Sequence, residues 1–90
     1  MDLVNKKSKL KFPLSFDLKV VMEAGEDEDN KSLIKGVFED LKIPYFEWDV
    51  RESSQGNYRR YSVKITLISK KRMEELYSVL SKTPNVKVVL

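Results

Sequence analysis

The sequence contains neither cysteine nor histidine. Without cysteine the chain has no disulfides and no thiolate metal ligands. Without histidine it lacks the commonest general base, the usual zinc ligand and every nucleophilic pair that depends on an imidazole. The carboxylates and lysines that remain are scattered over positions that we expect to be exposed. We therefore predict that the protein is not an enzyme and that it has no catalytic residues, metal site or cofactor.

Long apolar stretches are also missing from the sequence. None approaches the roughly 20 residues that a membrane-spanning helix needs. The first eleven residues include lysines but no apolar segment of the kind found in secretory signals. We therefore expect a cytoplasmic protein without a membrane partner.

The positive charge is concentrated at one end of the chain. The net charge is +3, and residues 1–11 supply all of it through four lysines and one aspartate. This composition predicts a flexible basic tail over residues 1–11 and a single domain over residues 12–90. Because the predicted domain is neutral, nucleic-acid binding is not favoured.

Hydrophobic periodicity predicts six elements. Apolar residues alternate with polar ones in four segments, 15–23, 45–51, 58–67 and 86–90, which indicates strands. Helical spacing appears after a cap at Asp29 or Asn30 and again after a cap at Ser69. The order βαββαβ predicts an α+β, ferredoxin-like sandwich. In this fold both helices cover one face of a four-stranded antiparallel sheet.

Strand parity divides the side chains between the core and the open face of this sheet. Phe46 and Trp48, together with Tyr77 of the second helix, are predicted to lie in the core. Val21 and Val89 are predicted to form a small apolar centre on the open face, which suits a homodimer. The aromatic residues of the open face would be Tyr45 and Tyr58, both near strand ends. This placement does not favour RNA recognition.

Three blocks of the sequence resemble the bacterial YbeD-like family of uncharacterised proteins. The first block is Phe12-Pro13-Leu14-Ser15-Phe16-Asp17-Leu18-Lys19-Val20-Val21-Met22. The second is Ser53-Ser54-Gln55-Gly56-Asn57-Tyr58 leading into Ser62-Val63-Lys64-Ile65-Thr66, and the third is Leu76-Tyr77-Ser78-Val79-Leu80-Ser81 followed by residues 86–90. The resemblance implies a ferredoxin-like fold similar to ACT regulatory domains and a regulatory link to lipoate metabolism. It implies no functional residue, because the family has no established site.

The turn between the second and third strands is the first candidate site. Hydroxyls, backbone amides and two arginines could hold a small anion there, or the same residues could simply build an ordinary turn. The residues concerned are Ser53, Ser54, Gly56, Asn57, Arg59 and Arg60.

Two charged runs flank the predicted helices. The acidic loop 26–29 could ligate a divalent cation, but acids before a helix are already favourable through the helix dipole. Gly25 followed by four acids also differs from the turn that holds an amino acid in ACT domains. Lys70, Lys71 and Arg72 begin the second helix, where cations oppose the dipole. They could bind phosphate, nucleic acid or an acidic partner, or they could be a solvated run of charges without a partner.

Three functional hypotheses follow. The leading one is a non-catalytic regulatory or adaptor module that binds an unidentified protein partner, with a homodimer as one arrangement. The second is a sensor of a small anion or metabolite. The third is nucleic-acid binding through the basic tail and the start of the second helix.

Overall fold

The computed structural model describes residues 11–53 and 55–90. Its elements are β1 (Leu14–Glu23), α1 (Asp27–Leu41), β2 (Tyr45–Glu52), β3 (Tyr58–Leu67), α2 (Lys70–Ser81) and β4 (Val86–Val89). The strands form one antiparallel sheet in the order β2-β3-β1-β4. The predicted ferredoxin-like fold is confirmed, while the predicted tail lies outside the described residues except for Lys11.

Both helices pack on the same face of the sheet. The buried side chains of β1 and β3 alternate along each strand and meet the apolar stripes of α1 and α2 in one cluster. Burial of this cluster is the main force that holds the two layers together. Its fully buried members are Leu18, Val20, Met22, Ile34, Phe38, Tyr61, Val63, Ile65, Leu67, Leu76 and Leu80.

The first helix begins earlier than the sequence predicted. Asp27 is its first residue and Glu26 is its N-cap, so the predicted caps Asp29 and Asn30 are wrong. The predicted acidic loop is mostly the first turn of α1, where carboxylates favour the positive end of the helix dipole. Asn30 is the fourth residue of the helix, and its side chain faces the core at 1% exposure.

The second helix begins as predicted. The Ser69 hydroxyl accepts a hydrogen bond from the Arg72 amide at 3.1 Å. This bond satisfies one of the backbone donors that every helix start leaves free. Among the described residues, neither helix combines the length and the hydrophobicity that a membrane crossing requires.

A bulge in β2 changes which aromatics reach the core. Glu47 is an extra residue between the Phe46–Lys64 and Trp48–Val63 pairs, and its φ is +59°. Because one inserted residue reverses the alternation, Tyr45 and Trp48 both face the helices. The predicted core position of Phe46 is therefore wrong, since its side chain is 46% exposed, and so is the open-face position of Tyr45.

A second irregularity displaces the last strand. Val21 pairs with Val88 but Met22 pairs with Val86, so Lys87 is the extra residue. Val89 lies opposite the buried Val20 and packs against the core. The predicted open-face position of Val89 is wrong, and Val88 lies beside Val21 instead.

The bulge at Glu47 generates a stability prediction. Phe38→Ala should lower the free energy of unfolding by about 3–5 kcal/mol, because it empties a buried aromatic site. Phe46→Ala, the matched change on the other face, should cost less than about 1 kcal/mol. Urea unfolding of both variants measures the difference. Equal losses would contradict the assigned faces.

Candidate binding face

The open face of the sheet is a grid of charged side chains around one small residue. Ser62 of β3 pairs with Lys19 of β1 and with Asp49 of β2. Its outward-facing neighbours along β3 are Arg60 and Lys64, two residues away on either side. Because serine is shorter than the side chains around it, the centre of the face is a depression.

This depression, which we call the Ser62 basin, has a volume of about 480 Å³ and is open to solvent. Among the described residues, two ion pairs line it. Lys64 Nζ lies 3.5 Å from Glu47 Oε1, and Arg51 Nε lies 3.3 Å from Asp49 Oδ2. Both pairs are exposed, so they contribute little to stability. The lining residues are Asp17, Lys19, Glu47, Trp48, Asp49, Arg51, Arg60, Ser62 and Lys64.

Arg60 is the least satisfied side chain of the basin. It lies directly opposite Arg51 across the β2–β3 ladder, and like charges in that position are destabilising. Arg60 Nε is buried and has no hydrogen-bond partner within the part of the chain that the structure describes. Buried donors are normally paired, so this atom is an unusual unsatisfied hydrogen-bond donor in the middle of the face.

Apolar side chains border the basin. Val21 lies beside Val88, which is 46% exposed at the β4 edge. Phe46 lies next to Lys64 at the opposite edge. Charged groups at the centre and apolar groups at the border together form a surface that a partner could cover.

Among the described residues of the predicted hairpin site, Ser53 and Gly56 meet in the turn between β2 and β3. Ser53 closes the turn through its own backbone and hydroxyl, with the Tyr58 amide 3.2 Å from Ser53 Oγ. Gly56 has a φ of +75°, which glycine accommodates readily. These contacts support the interpretation of an ordinary turn, while Ser54 lies outside the described residues.

The two arginines that follow this turn diverge. Arg60 lies on the open face, whereas Arg59 donates hydrogen bonds to the Gly25 carbonyl and to Glu52 on the helical side. Arg59 therefore ties the β1–α1 connection to β3. The Ala24 amide also donates to the Asn57 carbonyl at 2.9 Å, which fastens the same connection a second time.

A buried polar network that the sequence analysis missed lies beneath this connection. Tyr61 Oη donates to Asp27 Oδ1 at 2.8 Å and accepts from Asn30 Nδ2 at 3.3 Å. Asn30 also donates to the Glu23 carbonyl at 3.0 Å. The only sequence signal was an asparagine at a core-facing position of the helical stripe.

Hydrogen bonding and burial set the protonation states of this network. The hydrogen bond from Tyr61 lowers the pKa of Asp27 below its ordinary value of 3.8. Burial raises the pKa of Tyr61 above 10.0, so its hydroxyl keeps the proton that it donates. The hydrogen bond from Tyr61 to the Asp27 carboxylate is therefore a structural contact at neutral pH.

The basic start of α2 is separate from the basin. Lys70 and Lys71 are exposed, and Arg72 pairs with Glu75 at 3.1 Å. A small hollow of about 230 Å³ lies beside them, lined by Ile68, Ser69, Lys71, Arg72 and Glu75. Within residues 11–53 and 55–90, no three acidic side chains converge as a metal site would require.

Comparison with known proteins identifies relatives along nearly the whole chain. Residues 7–90 match the family described as a protein of unknown function, DUF493. UPF0250 proteins of Shewanella piezotolerans and Shewanella halifaxensis are each 31% identical over 81 residues, which is 90% of either chain. These matches confirm the resemblance to the YbeD-like family.

Solved structures confirm the fold. The solution structure of protein HP0495 from Helicobacter pylori superposes with a TM-score of 0.77 at 19% identity, covering all of this chain and 94% of that one. The C-terminal domain of MgtC from Mycobacterium tuberculosis gives 0.68 at 13% identity, with coverage of 91% and 89%. At such identities the similarity concerns the fold alone.

The Tyr61 network generates a pH-dependent prediction. Tyr61→Phe should lower the free energy of unfolding at pH 7 by about 1–3 kcal/mol, because Asp27 and Asn30 lose a partner. The pKa of Asp27 is lowered by folding, so its contribution is present above pH 3.8 and is lost as the pH falls further. The difference in the free energy of unfolding between Tyr61→Phe and the wild type should therefore become smaller below pH 3.8. Urea unfolding at several pH values measures it.

Tyr58→Phe is the matched control, because Tyr58 is 42% exposed. It should change stability by no more than about 0.5 kcal/mol at any pH. A Tyr61→Phe penalty that stays constant on acidification would show that Asp27 is not its source.

Proposed function

The chain belongs to the DUF493 family, and we propose that it is a non-catalytic adaptor or regulatory module that binds a protein partner. The proposal depends on one observation. One face of the sheet packs on both helices, while the other presents an open, charged basin with an apolar border. A surface of this composition resembles the polar and apolar mixture of protein interfaces.

The geometry of the basin favours recognition over chemistry. Two of its carboxylates, those of Glu47 and Asp49, are 70% and 62% exposed. Glu47 pairs with Lys64, and Asp49 pairs with Arg51. Acid–base catalysis is helped by groups that are shielded from water and shifted in pKa. Exposed ion pairs on a sheet instead suit exchange with the charges of a partner.

The regulatory role and the link to lipoate metabolism are part of this proposal. Their support is the YbeD-like resemblance and the similarity of the fold to ACT regulatory domains. A second copy of the chain is one candidate partner, since Val21 and Val88 form an apolar pair on the open face.

A sensor of a small anion is the second candidate function. The hollow beside Lys71 and Arg72 supports it, because it combines cations with the start of a helix. The support is weaker than for the open face, since the Arg72 amide already binds Ser69 and its side chain already binds Glu75.

Two exposed valines on opposite sides of the molecule provide the test of the adaptor function. Val88→Glu places a charge on the border of the open face, and Val79→Glu makes the same change on α2, where the side chain is 41% exposed. We expect the tagged wild-type protein and the Val79→Glu variant to retain a common partner from extracts of the source bacterium. The Val88→Glu variant should lose at least nine-tenths of it, as measured by quantitative mass spectrometry.

Sedimentation equilibrium on the same three proteins examines self-association. A dimer that Val88→Glu alone dissociates would identify a second copy as the partner. Equal recovery of the partner by both variants would refute binding through the open face. Loss of the partner with Val79→Glu alone would show that the partner binds to the helical side.

A further inference from the structure

We infer that the Ser62 basin receives the carboxylate side chains of an acidic segment in the partner, with Arg60 and Lys19 as the groups that bind them. This inference rests on the proposed adaptor function and specifies the chemistry of the partner. It is carried by the charge balance of the basin, by the unsatisfied state of Arg60 and by the shape of the basin floor.

The charge balance favours an anion. Among the described residues, four cations and three carboxylates line the basin, which gives this lining a net charge of +1. Two of the cations, Arg51 and Lys64, are engaged by Asp49 and Glu47. In the described part of the chain, Arg60 and Lys19 have no ion-pair partner, and Asp17 is the one lining carboxylate in the same condition.

Arg60 gains most from a carboxylate. Its guanidinium carries five donors in a planar fork that matches two carboxylate oxygens. One of these donors, Nε, is buried without a partner, and Arg51 lies directly across the ladder. A carboxylate at Arg60 would offset the repulsion between the two arginines.

The floor of the basin fits a side chain that enters from above. Ser62 lies between Arg60 and Lys64 along β3 and faces Lys19 on β1. Its hydroxyl adds a donor at the centre of the face. The volume of about 480 Å³ accommodates more than one side chain, which suits a segment of peptide.

The surroundings favour a peptide over a free inorganic anion. Asp17, Glu47 and Asp49 ring the basin and repel a small multivalent anion. A peptide can place one carboxylate on Arg60 while its apolar residues cover Val21 and Val88 at the border. The mixed lining therefore selects for a segment with spaced charges.

The test uses a defined acidic probe on the full chain. ¹⁵N-labelled protein is titrated with an acidic peptide, the acetylated and amidated repeat (Glu-Val-Ser)₃, with its neutral counterpart (Gln-Val-Ser)₃ and with inorganic phosphate, and amide shifts are followed by NMR. We expect the acidic peptide alone to shift the amides of Lys19, Arg60 and Ser62. The apparent affinity should fall as salt is raised, because the contact is electrostatic.

Two variants of Arg60 and one matched arginine variant decide the assignment. Arg60→Met should weaken binding of the acidic peptide at least tenfold, and Arg60→Lys severalfold, since lysine keeps the charge but loses the fork. Arg72→Met, which removes an arginine from the start of α2, should bind as the wild type does. Thermal unfolding of each variant shows that it is folded.

Three results would overturn the inference: shifts confined to residues 70–72, equal shifts with phosphate, or unchanged affinity in Arg60→Met. The adaptor function is judged separately by the partner recovered from extracts. If Val88→Glu loses that partner while Arg60→Met retains it, the adaptor function stands and the carboxylate site is wrong.

Discussion

The packing of Tyr61 determines how the rest of this structure is arranged. Its ring meets the Trp48 ring edge-on, with 6.4 Å between centroids, and Phe38 and Tyr45 complete the aromatic cluster. Its hydroxyl reaches Asp27 at the start of α1. One side chain therefore links the sheet, the bulged edge strand and the first helix. Aromatic contacts of this kind contribute beyond the apolar area that they bury.

The bulge in β2 follows from the same cluster. Tyr45 and Trp48 are three residues apart, and a regular strand would point them to opposite faces. Placing Glu47 in a left-handed conformation costs about 1–2 kcal/mol. Burial of two aromatic rings offsets this cost. The same bulge turns Phe46 outward and places Glu47 beside Lys64, so the packing of the core also shapes the open face.

The open face and the core are coupled through β3. Tyr61 points inward, and its neighbours Arg60 and Ser62 point outward, so the register that buries the tyrosine also places the arginine opposite Arg51. The hairpin at Gly56 and the contact from Arg59 to the Gly25 carbonyl fasten this register at one end. A rigid core is a suitable support for a surface that recognises a partner by the position of its charges.

The sequence by itself determined the order of the elements and the faces of β1, β3 and α2. In those segments an unbroken alternation or helical period leaves one face to bury, and Ser69 is a recognisable cap. The tertiary structure decided the faces of β2 and β4, because an inserted residue reverses parity and only pairing with a neighbouring strand reveals it. It also decided the basin and the Tyr61 network. Lys19 is far along the chain from Arg60 and Ser62, and the antiparallel register of β1 and β3 brings them together. Tyr61 lies 34 residues from Asp27, and the packing of α1 on the sheet brings these two together.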